Sequence, residues 1–131
     1  MEAGKRLSGG EKQRLALCVA LGKEADYYFL DEPTKGMDAK SKKLFGELLK
    51  EWTKMEKSIV MVSHDMEFTA KYADEISLLY QGEIIVQCPV REFMEENQFY
   101  TTGMNRVTRR VNPHIITIED VKKYAKRKNS Q

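Results

Sequence analysis

The sequence lacks any apolar run that approaches the ~18 residues of a membrane-spanning helix. Its first residues, Met1–Lys5, also lack the hydrophobic core of a secretory signal. Cysteine is scarce: Cys18 and Cys88 lie far apart, without the spacing of a metal site. We therefore expect a soluble protein with two buried, reduced thiols.

A glycine-rich phosphate-binding loop that ends in Gly-Lys-Ser/Thr is also missing from the 131 residues. Gly-Lys pairs occur at Gly4-Lys5 and Gly22-Lys23. Neither pair is followed by Ser or Thr, and neither has the upstream glycine of such a loop. The α- and β-phosphates of a nucleotide therefore have no cradle of this kind within the sequence.

Neither sign of charge dominates, because 22 Lys and Arg stand against 20 Asp and Glu, for a net charge of +2. That balance gives no nucleic-acid signal, and we expect no nucleic-acid partner. The last quarter differs, since its two acids, Glu119 and Asp120, are outnumbered by basic residues. These are Arg106, Arg109, Arg110, Lys122, Lys123, Lys126, Arg127 and Lys128. Such a basic segment meets anionic lipid or an acidic partner, or is simply a solvated terminus.

Hydrophobic patterning predicts a single α/β domain in which helices alternate with buried strands, with a mainly parallel sheet. The turn residues Gln81-Gly82 lie between two apolar runs and predict an antiparallel hairpin near the end. Predicted helices cover residues 11–23, 39–55, 66–72, 89–96 and a basic segment after Thr117; predicted strands cover 27–30, 58–62, 76–80 and 83–88. Residues 97–116 are predicted to be irregular.

Polar side chains at predicted helix starts indicate N-caps. Asp38 and Asp65 stand just before the helices that begin near residues 39 and 66. Thr117 and Asp120 have the spacing of a capping box. Pro33 and Gly36 indicate a turn between the first strand and the first of these helices.

Ser8-Gly9-Gly10 directly precedes the helix predicted over residues 11–23. A helix N-terminus offers unpaired N–H groups and a partial positive charge, and two glycines let an anion approach the backbone. The Ser8 hydroxyl adds a donor, so the segment indicates a phosphate-binding helix terminus. On these three residues alone, an ordinary serine N-cap after a flexible loop is the alternative.

Polar candidates follow two of the predicted strands. Asp31 and Glu32 end the apolar run Tyr27–Leu30, and His64 follows the run that ends at Val62. Pro33 is expected to hold Glu32 in an extended backbone conformation. In isolation, two solvated acids and a structural histidine are the alternative.

Leu7–Arg14, which reads Leu-Ser-Gly-Gly-Glu-Lys-Gln-Arg, resembles the signature motif of ABC-type ATPases, the nucleotide-binding subunits of transporters. Tyr27–Glu32 is similar to the Walker B strand of that family, and Ser63-His64-Asp65 to its switch-histidine segment. Gly36-Met37-Asp38 resembles its D-loop, with Met37 where leucine is usual. The tail around residues 103–113 loosely resembles ATPases of the energy-coupling-factor type, which drive vitamin and metal-ion importers.

The resemblance covers about residues 5–97 and implies the C-terminal half of an ABC-type ATPase. The implied fold is a partial P-loop NTPase with a RecA-like core, which lacks the Walker A strand. We therefore expect residues 1–97 to form the ATPase part, and residues 98–131 a basic C-terminal extension. A missing strand next to Ser58–Val62 leaves strand edges open, which predicts a rearranged sheet or an oligomer.

The resemblance also implies cofactors and residue roles. ATP and Mg²⁺ are the implied cofactors, with Asp31 as the Mg²⁺ ligand. Glu32 would polarise the attacking water, and His64 would contact the γ-phosphate and orient that water. The residues implied to contact nucleotide, largely on an opposing subunit, are Ser8, Gly9, Gly10, Gln13 and Asp38.

The implied protein couples ATP hydrolysis to import of a small solute. Its implied partners are a second ABC ATPase subunit in a head-to-tail dimer and transmembrane transporter subunits, at the cytoplasmic face of the cell membrane. Because the Walker A loop is missing, the isolated chain is predicted neither to bind nor to hydrolyse ATP. Two alternatives stay open: a non-catalytic module that supplies the signature motif in trans, and a part of a soluble ABC ATPase in DNA repair or translation.

Overall fold

The computed structural model describes Gly22, residues 25–97 and residues 99–128. The signature segment, with Ser8, Gly9, Gly10 and Gln13, lies outside the described residues, as do Cys18 and the helix predicted over residues 11–23. The chain divides into two compact units after His64, and each contains its own two-stranded sheet. The division into residues 1–97 and 98–131 stays a prediction.

The first unit contains a parallel pair of strands joined by one helix. Its elements are β1 (Tyr27–Asp31), α1 (Ala39–Lys54) and β2 (Ser58–Val62). The alternation of buried and exposed residues along β1 places Tyr28 and Leu30 on the covered face of the pair. Tyr28 stacks on Trp52 of α1 with ring centroids 4.4 Å apart, so α1 packs on that face.

The helix α1 forms because its apolar side chains repeat at helical spacing. Phe45 and Leu49, one turn apart, are its buried hydrophobic residues. Asp38 caps its N-terminus, where the Asp38 carboxylate accepts the Ser41 N–H at 2.7 Å. The helix ends at Lys54, one residue before the predicted end.

The second unit combines an antiparallel hairpin with four helices. Its elements are α2 (Met66–Tyr72), β3 (Glu75–Tyr80), β4 (Glu83–Pro89), α3 (Val90–Glu96), α4 (Gly103–Thr108) and α5 (Ile118–Lys128). Gln81 and Gly82 at the hairpin tip have φ of 50° and 86°. Two consecutive positive φ values are typical of the tight turn that suits the twist of a hairpin. The predicted hairpin is confirmed, with each strand one residue longer at its outer end.

The hydrophobic core of the second unit forms where α3 meets the segment before α5. Val90, Phe93, Met94 and Ile116 are all buried there. Ile76 and Leu78 of the hairpin pack against this cluster. Residues of the predicted basic extension therefore share a core with the hairpin and α3.

The prediction that residues 97–116 are irregular is wrong in part, because α4 lies within them. The Thr102 side chain caps this helix by accepting the Asn105 N–H at 3.1 Å. The helix is too short to show a hydrophobic repeat, so periodicity gave no signal for it. By contrast the Thr117 capping box is confirmed, since Asp120 accepts the Thr117 N–H at 2.9 Å before the basic α5.

The described elements form a mixed α/β fold with a small parallel sheet and a C-terminal antiparallel hairpin, as predicted. No helix within residues 25–97 and 99–128 is long and apolar enough to cross a bilayer.

Candidate functional site

The candidate site lies where the two parallel strands of the first unit end. Asp31 at the end of β1 is in register with Val62 at the end of β2. Glu32 follows Asp31, and His64 follows Val62 by two residues. Because parallel strands end at the same sheet edge, three of the predicted site residues lie at that edge. Ligands of open parallel sheets typically bind at such carboxyl ends.

Glu32 and His64 contact each other directly. His64 Nε2 lies 3.5 Å from Glu32 Oε1. The backbone N–H of His64 also points to Glu32 Oε2, with nitrogen and oxygen 3.5 Å apart. The imidazole is 96% exposed whereas the Glu32 side chain is 29% exposed. The carboxylate is therefore held in a partly buried position, while the imidazole is accessible to a ligand.

Two backbone hydrogen bonds fix Glu32 at the end of the ladder. Its N–H donates to the Val62 carbonyl at 2.9 Å, which continues the pairing of β1 with β2. Its carbonyl accepts the Lys35 N–H at 3.1 Å, which closes a turn over Pro33 and Thr34. The last residue of the ladder is therefore also the first residue of a tight turn.

The backbone of Glu32 has φ of 45°, so the predicted extended conformation is wrong. The chain leaves the strand and turns within one residue, and the two hydrogen bonds hold Glu32 in the left-handed region. That conformation costs a non-glycine residue roughly 1–2 kcal/mol. Strained backbone of this kind is concentrated at functional sites in proteins. Pro33 favours an extended backbone for Glu32 through local steric contacts. That rule does not take account of the two hydrogen bonds that hold Glu32 in the left-handed region, so the prediction from Pro33 failed.

The turn continues to Asp38. Gly36 has φ of 75°, a conformation that glycine adopts without penalty, and Met37 N–H donates to the Thr34 carbonyl at 3.1 Å. The predicted turn at Pro33 and Gly36 is thereby confirmed. Asp38 serves as the N-cap of α1, and its role toward nucleotide stays a prediction.

Asp31 and Glu32 fit a hard divalent cation in kind, since both are carboxylates. The described residues contain no group of three His, Cys, Asp or Glu that could enclose a metal ion. A cation here would therefore take most of its ligands from water and from bound phosphate. Mg²⁺ usually binds in this way, through one or two carboxylates plus substrate oxygens.

The family described as ABC transporter matches residues 1–35, a range that ends just after Asp31 and Glu32. A relative from Bacillus thuringiensis, described as an ABC transporter ATP-binding protein, is 46% identical over 114 residues. That match covers 87% of this chain and 21% of the relative. The energy-coupling factor transporter ATP-binding protein EcfA2 of Staphylococcus saprophyticus is 33% identical over 95 residues, which cover 72% of this chain and 33% of EcfA2.

Among solved structures, the chain is similar to a dimeric ATP-binding cassette in a post-hydrolysis state, bound to ADP and Pi. The TM-score is 0.60 at 31% identity, and the match covers 66% of this chain and 37% of that chain. The chain thus spans about a fifth of the length of the curated relative from Bacillus thuringiensis, and about a third of the other two.

Proposed function

The chain belongs to the family of ABC transporter ATP-binding proteins, of whose ATP-binding domain it covers a part, and we propose that it serves ATP binding and hydrolysis. The observation that carries the proposal is the contact between His64 and Glu32 beside Asp31, at the carboxyl ends of two parallel strands. A carboxylate and an accessible imidazole 3.5 Å apart are suited to orient one water molecule between them and a phosphate.

In this proposal MgATP supplies the phosphoryl group and the charge neutralisation that its transfer requires. Asp31 binds the cation through its carboxylate. Glu32 accepts a hydrogen bond from the attacking water and polarises it. His64 donates to the γ-phosphate and fixes the position of the Glu32 carboxylate.

The signature residues Ser8, Gly9, Gly10 and Gln13 are proposed to contact the γ-phosphate of ATP on an opposing subunit. Their sequence supports this role, because a serine and two glycines before a predicted helix offer several N–H donors to an anion. Asp38 is proposed to lie at the same subunit boundary. The similar solved structure is dimeric, which supports a dimer of ATP-binding domains here.

We further propose that the whole protein couples ATP hydrolysis to import of a small solute. The name of the EcfA2 relative supports an energy-coupling-factor type of transporter. The proposed partners are transmembrane transporter subunits, and the proposed location is the cytoplasmic face of the membrane.

The test is the rate of ATP hydrolysis by the product of the gene that carries this sequence. Glu32→Gln keeps the size and shape of the side chain and removes its charge, so hydrolysis is expected to fall by about 100-fold or more. Glu47→Gln is the matched control, because Glu47 is an exposed carboxylate on α1 in the same unit. Equal rates for the two variants would contradict the proposal.

The gene sequence upstream of Met1 distinguishes between two possibilities: a catalytic subunit, and a module that only completes the ATP site of a partner. An in-frame Gly-x-x-x-x-Gly-Lys-Ser/Thr supports catalysis by this protein. A stop codon directly upstream contradicts it and supports a contribution in trans.

A further inference from the structure

Charge is strongly segregated within the second unit. Residues 65–97 carry eight acids against two bases, Lys71 and Arg91, whereas residues 98–131 carry eight bases against two acids. Those two acids are also paired: Glu119 Oε1 lies 2.7 Å from Lys71 Nζ, and Asp120 Oδ1 lies 3.5 Å from Arg91. The acids of the extension are therefore engaged, and its outward charge is basic.

The outer side of α4 displays apolar side chains beside arginines. Val107 on α4 is 80% exposed, and Val111, three residues after the end of α4, is 73% exposed. Arg106 and Arg110, which are also exposed, precede them by one residue each. Asn105 on the inner side is fully buried, which fixes the side of α4 that faces solvent.

Phe99 extends this surface. Its carbonyl accepts a hydrogen bond from the Arg106 guanidinium at 2.7 Å. The N–H groups of Phe99 and Tyr100 both donate to the Asn97 side chain, which orders the segment. Phe99 is nevertheless 81% exposed, and Tyr100 is 51% exposed. We name the surface formed by Phe99, Tyr100, Arg106, Val107, Arg110 and Val111 the α4 patch.

We propose that the α4 patch docks on a bilayer surface that contains anionic lipid. Exposed apolar clusters usually mark an interaction site. A purely apolar groove would bury the charges of the two arginines without an anion to balance them, and a phosphate surface such as RNA would leave Phe99 and the valines in water. A bilayer interface satisfies both groups, since headgroup phosphates pair with arginine while the apolar side chains enter the acyl boundary.

The basic helix α5 of the same unit adds positive charge that an anionic bilayer attracts. It carries five lysines and arginines within residues 122–128, and none of its residues is buried. Each lysine or arginine near an anionic membrane contributes about 1 kcal/mol to binding. The proposal does not depend on the nucleotide chemistry of the first unit.

Flotation of the 131-residue chain with vesicles tests the proposal. Binding is expected to vesicles of phosphatidylcholine with phosphatidylglycerol, and not to phosphatidylcholine alone. Arg110→Gln is expected to weaken binding about five-fold. Val107→Ser is expected to weaken it several-fold at unchanged charge. The controls, Lys40→Gln on α1 and Leu79→Ser on the exposed part of the hairpin, are expected to bind like the unaltered chain.

Tryptophan emission gives a second readout. The emission of the Phe99→Trp variant is expected to shift to the blue on the anionic vesicles, whereas the emission of the Leu79→Trp variant is not. Trp52 is present in both variants, so its emission does not account for a difference between them. Circular dichroism of each variant verifies that it folds. Three results would overturn the proposal. The first is unchanged vesicle binding by the Val107→Ser variant. The others are displacement of the chain from vesicles by RNA with no blue shift, and a dimer of the chain that Val107→Ser dissociates.

Discussion

Replacing Asn105 tests whether residues 98–117 are an integral part of the second unit. The Asn105 side chain is fully buried and joins three segments. Its amide nitrogen donates to the carbonyls of Pro113 at 2.7 Å and Ile115 at 3.1 Å. Its oxygen accepts from the Thr101 hydroxyl at 3.2 Å. The side chain thus connects α4 to the chain on both sides of it.

The cost of Asn105→Ala follows from these contacts. Two amide hydrogen bonds to carbonyls are lost, at about 1 kcal/mol each. The Pro113 carbonyl, whose hydrogen bond with Asn105 is partly buried, loses this partner, which adds about 1 kcal/mol. Ile115 is affected less, because its carbonyl also accepts from the Thr108 hydroxyl at 3.4 Å. Adding these effects, we expect Asn105→Ala to lower the free energy of unfolding by about 3 kcal/mol.

Hydrogen exchange of the second unit, together with thermal unfolding, measures this loss. Asn112→Ala is the matched control, because the Asn112 side chain accepts one exposed N–H, that of His114. We expect less than about 1 kcal/mol for it. If Asn105→Ala leaves exchange in α3 and the hairpin unchanged, residues 98–117 do not stabilise that unit, and the reasoning fails.

Three further predictions concern stability. Asp38→Ala removes the N-cap of α1 and is expected to cost about 1 kcal/mol in thermal unfolding, whereas Asp38→Asn costs less because an amide oxygen also caps. Glu32→Gly is expected to be about 1 kcal/mol more stable than Glu32→Ala, because φ at Glu32 is 45° and glycine relieves the strain; equal stability would contradict the strain. Burial raises the pKa of Asp120, but the N–H donors of Thr117 and Ile116 outweigh it and hold that pKa below its ordinary value of 3.8. Ionised Asp120 therefore stabilises the fold at pH values above 3.8, and this stabilisation is lost as the pH falls through the lower pKa of the folded state. In a plot of unfolding free energy against pH, Asp120→Asn is expected to reduce the fall at acid pH.

Local sequence signals predicted the elements that depend on neighbouring residues. The capping carboxylate of Asp38 and the Thr117 box were visible because a cap joins a side chain to a backbone N–H group three residues away in the chain. The contact of Glu32 with His64 was predicted only through a family resemblance. The residues of β1 and β2 carry no local signal that the two strands are adjacent in the sheet.

Features that depend on tertiary hydrogen bonds were missed. The left-handed backbone of Glu32 requires the Val62 carbonyl, which is 30 residues away in the chain. The buried side chain that anchors α4 is Asn105, whose amide partners lie in a later segment. Neither requirement produces a periodic pattern, so reading the chain segment by segment does not reveal it.

A double-mutant cycle for ATP hydrolysis by the gene product tests the joint action of Glu32 and His64 most directly. If the two side chains orient one water molecule, Glu32→Gln and His64→Ala are strongly non-additive, and the double variant is little slower than the slower single variant. Rate losses that multiply independently, or single variants as active as the unaltered protein, would contradict a shared hydrolytic site at the ends of β1 and β2.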